Sequence, residues 1–295
     1  PRDIRLEGRS YFSYGRVLYQ APDYPLFGRW HLDEENSFMV EKTGMDGLVE
    51  VSRVSKLPIQ RIGRRSIGTG ITSIQLDFAY REGYLIPWKK AEPEEWKTAS
   101  QLLATDRGGL TYQPLVGAYE DVIEIDFVSM YPTIMSHFNV SPETVNCRCC
   151  KNQGVPEIGY TICEKREGLV SRALEPIIGK RVRYKAIRNT ARQEDDRQKA
   201  LVMDSRQTAL KWLLVCCFGY LGYRNARFGR IEAHEAVCAF ARDRLMVARE
   251  VCERRGFRVL HAIVDCFWCH RDPEHAHLGR PTRAEIEALC QEILE

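Results

Sequence analysis

The fold of this chain turns on Asp121-Val-Ile-Glu-Ile-Asp-Phe-Val-Ser-Met-Tyr-Pro-Thr-Ile-Met135. Ile123, Ile125 and Phe127 alternate with Glu124 and Asp126, the period-2 pattern of a strand with one face on a core. Asp126 stands at the mouth of that strand on its polar face, just before an aromatic-proline turn. Taken alone, such an Asp starts a turn or caps a helix. A second acid in the same setting changes the reading.

Val259-Leu-His-Ala-Ile-Val-Asp265 is a mostly apolar strand ending in an acid, and Cys266-Phe-Trp-Cys269 reads as its return strand, with Asp265 at the tip of a tight hairpin. Carboxylates at two strand ends, distant in sequence and adjacent in a sheet, can hold a pair of divalent cations. Mg²⁺ is typically bound by one or two carboxylates plus substrate phosphates, and a pair of such ions polarises the attacking and leaving oxygens of an in-line phosphoryl displacement. Between the acids lies a basic helical stretch, Lys180-Arg-Val-Arg-Tyr-Lys-Ala-Ile-Arg-Asn-Thr-Ala-Arg192. Arg181, Lys185, Arg188 and Arg192 recur at helical spacing and share one face. A solvated face usually mixes signs, and no acid interrupts this stretch before Glu194. Arg206-Gln-Thr-Ala-Leu-Lys-Trp-Leu-Leu-Val-Cys-Cys-Phe-Gly219 reads as a further helix that carries Lys211 and ends at Gly219.

Acid, basic helix, lysine helix and acid, in that order, resemble the B-family DNA polymerases. The first block is similar to their motif A, DFxSLYPS, which implies that Ser129, Met130 and Tyr131 cradle the incoming nucleotide and that Tyr131 lies beneath its sugar. Arg181 and Lys185 match the fingers-helix Arg-x-x-x-Lys, and Lys211 matches the motif B lysine of RQxALKxxxNSxYG; all three are expected to bind the triphosphate. The family's motif C is Tyr-x-Asp-Thr-Asp. A gapless alignment from Phe257 sets Asp265 on its second acid and Ile263 on its first. The resemblance thus implies that Asp126 and Asp265 are catalytic ligands of two Mg²⁺ ions, with one neighbouring charge replaced by Ile263. In motif B, Val215, Cys216 and Phe218 replace Asn, Ser and Tyr close to the nascent base pair.

The altered motif C together with Ser141-Pro-Glu-Thr-Val-Asn-Cys-Arg-Cys-Cys150 resembles a divergent archaeal and bacterial second-paralogue branch. The motif B changes imply a template-directed polymerase of low fidelity or damage tolerance, serving replication, repair or translesion synthesis. The alternative is an inactivated paralogue that acts as a DNA-binding or complex-assembly scaffold. A metal-dependent nuclease would use the same acids but leave the triphosphate cations unexplained. Primer-template DNA and a dNTP are the expected partners.

The resemblance is weaker toward the N-terminus. Val51 to Gly68 and Leu85-Ile-Pro-Trp-Lys89 resemble the connector between the exonuclease domain and the palm. Asp33 falls near the third exonuclease acid, but Arg29 holds the expected Tyr position, so Asp33 reads as a surface or capping acid. The expected organisation is residues 1–110 as exonuclease remnant and connector, 111–165 as the first palm segment, 166–217 as fingers and 218–295 as the second palm segment. The thumb is expected to be absent. The sequence therefore reads as a fragment or split-gene product, with weak DNA binding of its own unless a C-terminal palm and thumb subunit or other replication or repair proteins complete it.

With 295 residues, 44% of them hydrophobic, the chain can bury a core and suits about two domains. A net charge of +3 is modest for a nucleic-acid protein, so the distribution of charge decides. Arg224, Arg227 and Arg230 form a second basic group, read either as contacts to the DNA backbone or as a solvated surface. No apolar run reaches membrane length and no signal peptide is seen, which suggests a cytoplasmic, nucleoid-associated protein.

Eleven cysteines, an odd number, argue against a secreted disulfide framework. Cys147-x-x-Cys150 has zinc-knuckle spacing, Cys163 could be a third ligand, and Cys149 or His137 a fourth; the competing reading is a loop of reduced thiols. Cys216, Cys217, Cys238 and Cys252 read as small core residues, and His270, His275 and His277 as a surface loop. The fold expected is α+β: an antiparallel palm sheet carrying Asp126 and Asp265, two inserted finger helices, and a helix over Arg230 to Arg254 packing under the sheet on Ala233, Val237, Phe240, Ala241, Leu245 and Ala248.

Overall fold

The computed structural model of the chain describes residues 5, 7–13, 15–22, 24, 26, 28–32, 34, 37–89, 93–150, 152 and 154–294. It divides into two compact units. Residues 1–88 and 173–220 form one, and residues 89–172 and 221–295 the other.

In the second unit, four strands lie in the order β3 (Thr111–Tyr112), β5 (Phe257–Ile263), β6 (Cys266–Arg271) and β4 (Ile123–Asp126), every neighbouring pair antiparallel. The alternation read from the sequence is the reason the sheet has two unlike faces. Ile123, Ile125 and Phe127 join Ala262, Phe267 and Cys269 in an apolar cluster, while Glu124 and Asp126 are exposed. Helix α8 (Ile231–Arg254) closes that cluster with Leu245, Ala248, Val251 and Cys252, and α9 (Arg283–Leu294) adds Leu289. The apolar stripe expected for α8 is buried from Ala233 through Ala248, and the helix begins right after Arg230. Strand β4 is shorter than its sequence pattern, because Asp121 adopts a left-handed φ of 52° that breaks the extended chain before it.

The first unit holds a hairpin, β1 (Arg9–Ser13) with β2 (Arg16–Gln20), and helices α1 (Phe38–Ser55), α2 (Ile59–Gly63) and α3 (Ile67–Arg81). The hairpin was not anticipated. Helix α1 is broken at Gly44, whose φ of 60° is reached without strain only by glycine. The two long helices expected after motif A are α6 (Leu169–Gln193) and α7 (Arg197–Gly222), joined by a turn in which Asp196 Oδ1 accepts the Lys199 N–H at 3.1 Å and caps α7. Within this unit α7 meets α1 and α3: Phe38 and Trp212 pack edge to face at 5.0 Å, and a Cβ on Gly68 would fall inside the Tyr220 ring.

Two local expectations are corrected. Helix α7 does not end at Gly219 but continues to Gly222; Gly219 is not among the glycines with positive φ, so the chain makes no left-handed helix-ending turn there. His270 belongs to strand β6 rather than to a loop, half-buried with its ring 5.1 Å from that of Tyr119. Among the described residues no helix is long and apolar enough to cross a membrane.

Candidate active site

Strand register brings the two acids to one edge of the sheet. Asp126 lies directly opposite Cys266 on β6, the residue that follows Asp265, and the Phe127 N–H donates to the Asp265 carbonyl at 2.8 Å. Thr111, Ile263, Cys266 and Asp126 thus form one row across β3, β5, β6 and β4, and residues directly opposite share a face. Both carboxylates are exposed. Burial, then the negative charges of Asp265, Asp126 and Glu124, push the Cys266 thiol up from its ordinary value. Three acids, Glu124 among them, therefore act electrostatically on that thiol.

Asp265 is held in place through its main chain. Val264 is left-handed, with φ 56°, and the Asp265 N–H donates to the Ile263 carbonyl at 2.6 Å across it, while the Val264 N–H donates to the Leu110 carbonyl at 2.9 Å. Such a conformation is unfavourable for a β-branched residue and persists only where its surroundings enforce it. Gly109 is part of that enforcement. A Cβ there would meet Val264 Cγ2 at 2.9 Å and Tyr131 Oη at 3.0 Å.

Helix α5 (Met130–His137) starts from Ser129, itself left-handed at φ 54°. Met130 is buried, whereas Ser129 and Tyr131 are half-buried. Burial pushes the Tyr131 phenol up to about 12, with Cys238 and Asp265 adding to the shift and Arg242 opposing it. Tyr131 therefore stays neutral beside Asp265. Arg242 was missed in the sequence, although a lone cation inside the buried stripe of α8 is the signal that could have found it. Its guanidinium donates to the Gly108 carbonyl at 2.6 Å and pairs with Glu157 at 2.7 Å, linking α8 to the Gly108-Gly109 turn. Gly109 left no such signal, because its role depends on neighbours distant in sequence.

In the other unit, Arg181 is buried on α6, Lys185 is half-buried one turn later, and Lys211 is exposed on α7. Arg188, expected on the same face, donates to Asp204 of α7 at 2.7 Å, and Lys180 is paired with the buried Glu50 of α1. Part of the basic stretch thus holds this unit together. Of the second basic group, Arg224 is exposed and Arg227 half-buried. Arg230 is committed within the protein: it pairs with Glu95 at 2.6 Å and Glu232 at 3.1 Å and donates to the carbonyls of Pro142 and Val145. Cys147, Cys149, Cys150 and Cys163 gather with their sulfurs within 4.8 Å of one another, and His137 belongs to no potential metal-ligand group among the described residues.

Residues 57–276 match the model of the family described as DNA polymerase family B. The chain belongs to the B-family DNA polymerases. It is 36% identical over 220 residues to DNA polymerase 2 of Saccharolobus solfataricus, covering 74% of this chain and 32% of that one. It is 30% identical over 234 residues to DNA polymerase 1 of Pyrococcus abyssi, covering 79% of this chain and 30% of the relative. The solved family B DNA polymerase from the hyperthermophilic archaeon Pyrobaculum calidifontis superimposes with a TM-score of 0.61 at 28% identity, over 86% of this chain and 31% of that structure. The chain thus spans about a third of the length of the relatives it matches.

Against the B-family pattern, Ile263 is 41% exposed beside Cys266, so its apolar side chain stands on the acidic face rather than in the core. Of the motif B substitutions on α7, Val215 is exposed and Cys216 and Phe218 are half-buried. Asp33 lies outside the described residues.

Proposed function

We propose that this chain supplies the palm and fingers of a template-directed DNA polymerase that acts on primer-template DNA with a dNTP as substrate. In this reading residues 111–165 and 218–295 are palm, 166–217 fingers and 1–110 connector. The observation that carries it is the register that sets Asp126 beside Asp265, two exposed carboxylates from remote segments at one sheet edge. An all-carboxylate donor set without a histidine suits Mg²⁺, a hard ion that favours oxygen. Asp126 and Asp265 would hold two such ions, which lower the barrier by favouring the ionised primer 3′-hydroxyl and by balancing charge on the departing pyrophosphate.

The rest belongs to the chain's own side chains. Arg181, Lys185 and Lys211 bind the triphosphate and offset negative charge that builds toward the transition state. Tyr131, kept neutral, forms the floor under the sugar where a ribose 2′-hydroxyl would collide, with Ser129 and Met130 shaping the same floor. Arg224 and Arg227 contact DNA phosphates; Arg230 is left out, since its guanidinium is already occupied. The primer 3′-hydroxyl gives its proton to solvent, its oxygen forms a bond to the α-phosphorus, the bond from that phosphorus to the bridging oxygen breaks, and pyrophosphate leaves with that electron pair. Chromosomal DNA as template places the protein at the nucleoid in the cytoplasm, in replication or repair, with partner subunits supplying further grip on the duplex.

Primer extension with Mg²⁺ and then Mn²⁺ tests this reading. Extension by the parent protein that disappears in both Asp126→Ala and Asp265→Ala supports it. DNA binding without extension under either metal would instead favour the scaffold reading, which the exposed Ile263 in the acidic row supports. Loss of an amide at Val215 and of a hydroxyl at Phe218 supports loosened checking of the new base pair and tolerance of damaged templates; an unchanged error frequency in Val215→Asn would remove that part.

A further inference from the structure

We propose that Cys147, Cys149, Cys150 and Cys163 form a tetrahedral four-thiolate zinc site that staples the segment between α5 and α6. The sulfur separations carry the inference. Cys149 lies 3.5 Å from Cys147, 3.5 Å from Cys163 and 3.9 Å from Cys150, and all four sulfurs fall within 4.8 Å of one another. A zinc–sulfur bond of about 2.3 Å gives a tetrahedron with edges of about 3.8 Å, so one ion fits with little movement. A disulfide needs about 2.05 Å between sulfurs and would use only two of the four. An iron–sulfur cubane sets an iron under each thiolate and spreads the sulfurs wider than one ion does.

The backbone is arranged for such a site. Val145 bridges Ile162, the Asn146 N–H donates to the Thr161 carbonyl at 2.8 Å and the Cys163 N–H to the Thr144 carbonyl at 2.9 Å, which brings Cys147 back against Cys163. The Glu164 N–H points at the Cys150 sulfur at 3.5 Å, and the Lys165 and Arg166 N–H groups at that of Cys163. Donors of this kind orient thiolate ligands and stabilise their charge. Four thiolates around Zn²⁺ leave two negative charges, and Arg166 Nη2 sits 4.0 Å from Cys149. Cys149, the most exposed of the four, completes the set that the sequence left open between it and His137.

The same segment caps α6. The Gly168 N–H donates to Asn139 Oδ1 at 2.6 Å, the Leu169 N–H to Glu143 Oε1 at 2.5 Å and the Val170 N–H to Ser141 Oγ at 3.1 Å. Zinc at Cys163 therefore fixes the segment that leads into the first turn of α6.

The test is elemental analysis of the full chain purified under reducing conditions with zinc supplied, together with Co²⁺ substitution of the wild type. One zinc per chain, release of that zinc by a thiol-specific mercurial, and the visible absorption of tetrahedral thiolate Co²⁺ are expected. Cys163→Ser and Cys149→Ser should lose the metal, whereas Cys290→Ser should keep it. A metal-free protein with four titratable thiols, a disulfide found by mass spectrometry, iron with acid-labile sulfide, or zinc retained in Cys149→Ser would each overturn the four-thiolate zinc site. The Co²⁺ spectrum decides even if the serine variants do not fold.

Discussion

Gly109→Ala isolates the link between the Gly108-Gly109 turn and the site. The added methyl lands 2.9 Å from Val264 Cγ2, 3.2 Å from Val264 Cγ1 and 3.0 Å from Tyr131 Oη, each short of van der Waals contact. The φ of Gly109 is not positive, so alanine's own backbone preference adds no penalty and the collision alone is measured. Val264 cannot rotate away cheaply, because its N–H is tied to Leu110 and its left-handed backbone is already unfavourable. Overpacking of this kind costs about 1–3 kcal/mol of stability. A displacement of about 1 Å at a reacting group can cost about a hundredfold in rate; a few tenths of an ångström at Asp265 should then lower the single-turnover extension rate by about tenfold, or ~1.4 kcal/mol. Urea unfolding and rapid-quench primer extension read the two effects. Val264→Gly in the Gly109→Ala background removes the methyls that collide and should restore most of the rate, a coupling seen only between residues in contact. Unaltered stability and rate in Gly109→Ala, or no rescue by the second change, would refute the reasoning.

Arg242→Met keeps the length of the side chain but leaves the Gly108 carbonyl without its donor and Glu157 with only the longer pair to Arg107 at 3.8 Å, and should destabilise the protein by about 1–3 kcal/mol in thermal or urea unfolding. Phe267→Ala empties the centre of the sheet's apolar cluster and should cost about 3–5 kcal/mol in the same assay. Glu232 is buried, which opposes ionisation, yet its own and the Glu95 N–H groups with Lys97 and Arg230 hold its carboxyl below its ordinary value of 4.5. A carboxyl lowered in the folded state stabilises fully above its unfolded pKa and loses that contribution as pH falls through its folded value. Urea midpoints measured from pH 6 downward should therefore show a shallower acid loss in Glu232→Gln than in the parent, and parallel curves would contradict this.

Much of the second unit was legible because its signals are local. Period-2 alternation marked β4, the apolar stripe marked α8, and strand-end acids stood out in an apolar run. The polar run Gln193-Glu-Asp-Asp196 is a local signal of the same kind, and α6 and α7 join there. What was illegible depends on distant partners. Arg230, read either as a DNA contact or as solvated surface, pairs with Glu95 and Glu232, and Arg188, placed on the basic face of its helix, pairs with Asp204. Nothing in the sequence distinguishes a cation aimed at phosphate from one aimed at a carboxylate far along the chain. Gly219 misled for a related reason: a glycine ends a helix only where the chain needs a left-handed turn, and here it did not.

The row that joins Thr111, Ile263, Cys266 and Asp126 also makes alignment of the site an all-or-none property. A strand can slip only in whole residues, and a slip of one would turn Asp126 and Glu124 toward the apolar cluster and Ile123 and Ile125 toward water. Exposing the two half-buried isoleucines alone forfeits about 1–3 kcal/mol, roughly half the value for full burial, and dehydrating two carboxylates adds to that. The oily side of the sheet thus proofreads the position of the acids on the other side. Partly misaligned molecules should not accumulate: as denaturant rises, the surviving activity should track the folded fraction, with every folded copy holding its acids in the same place.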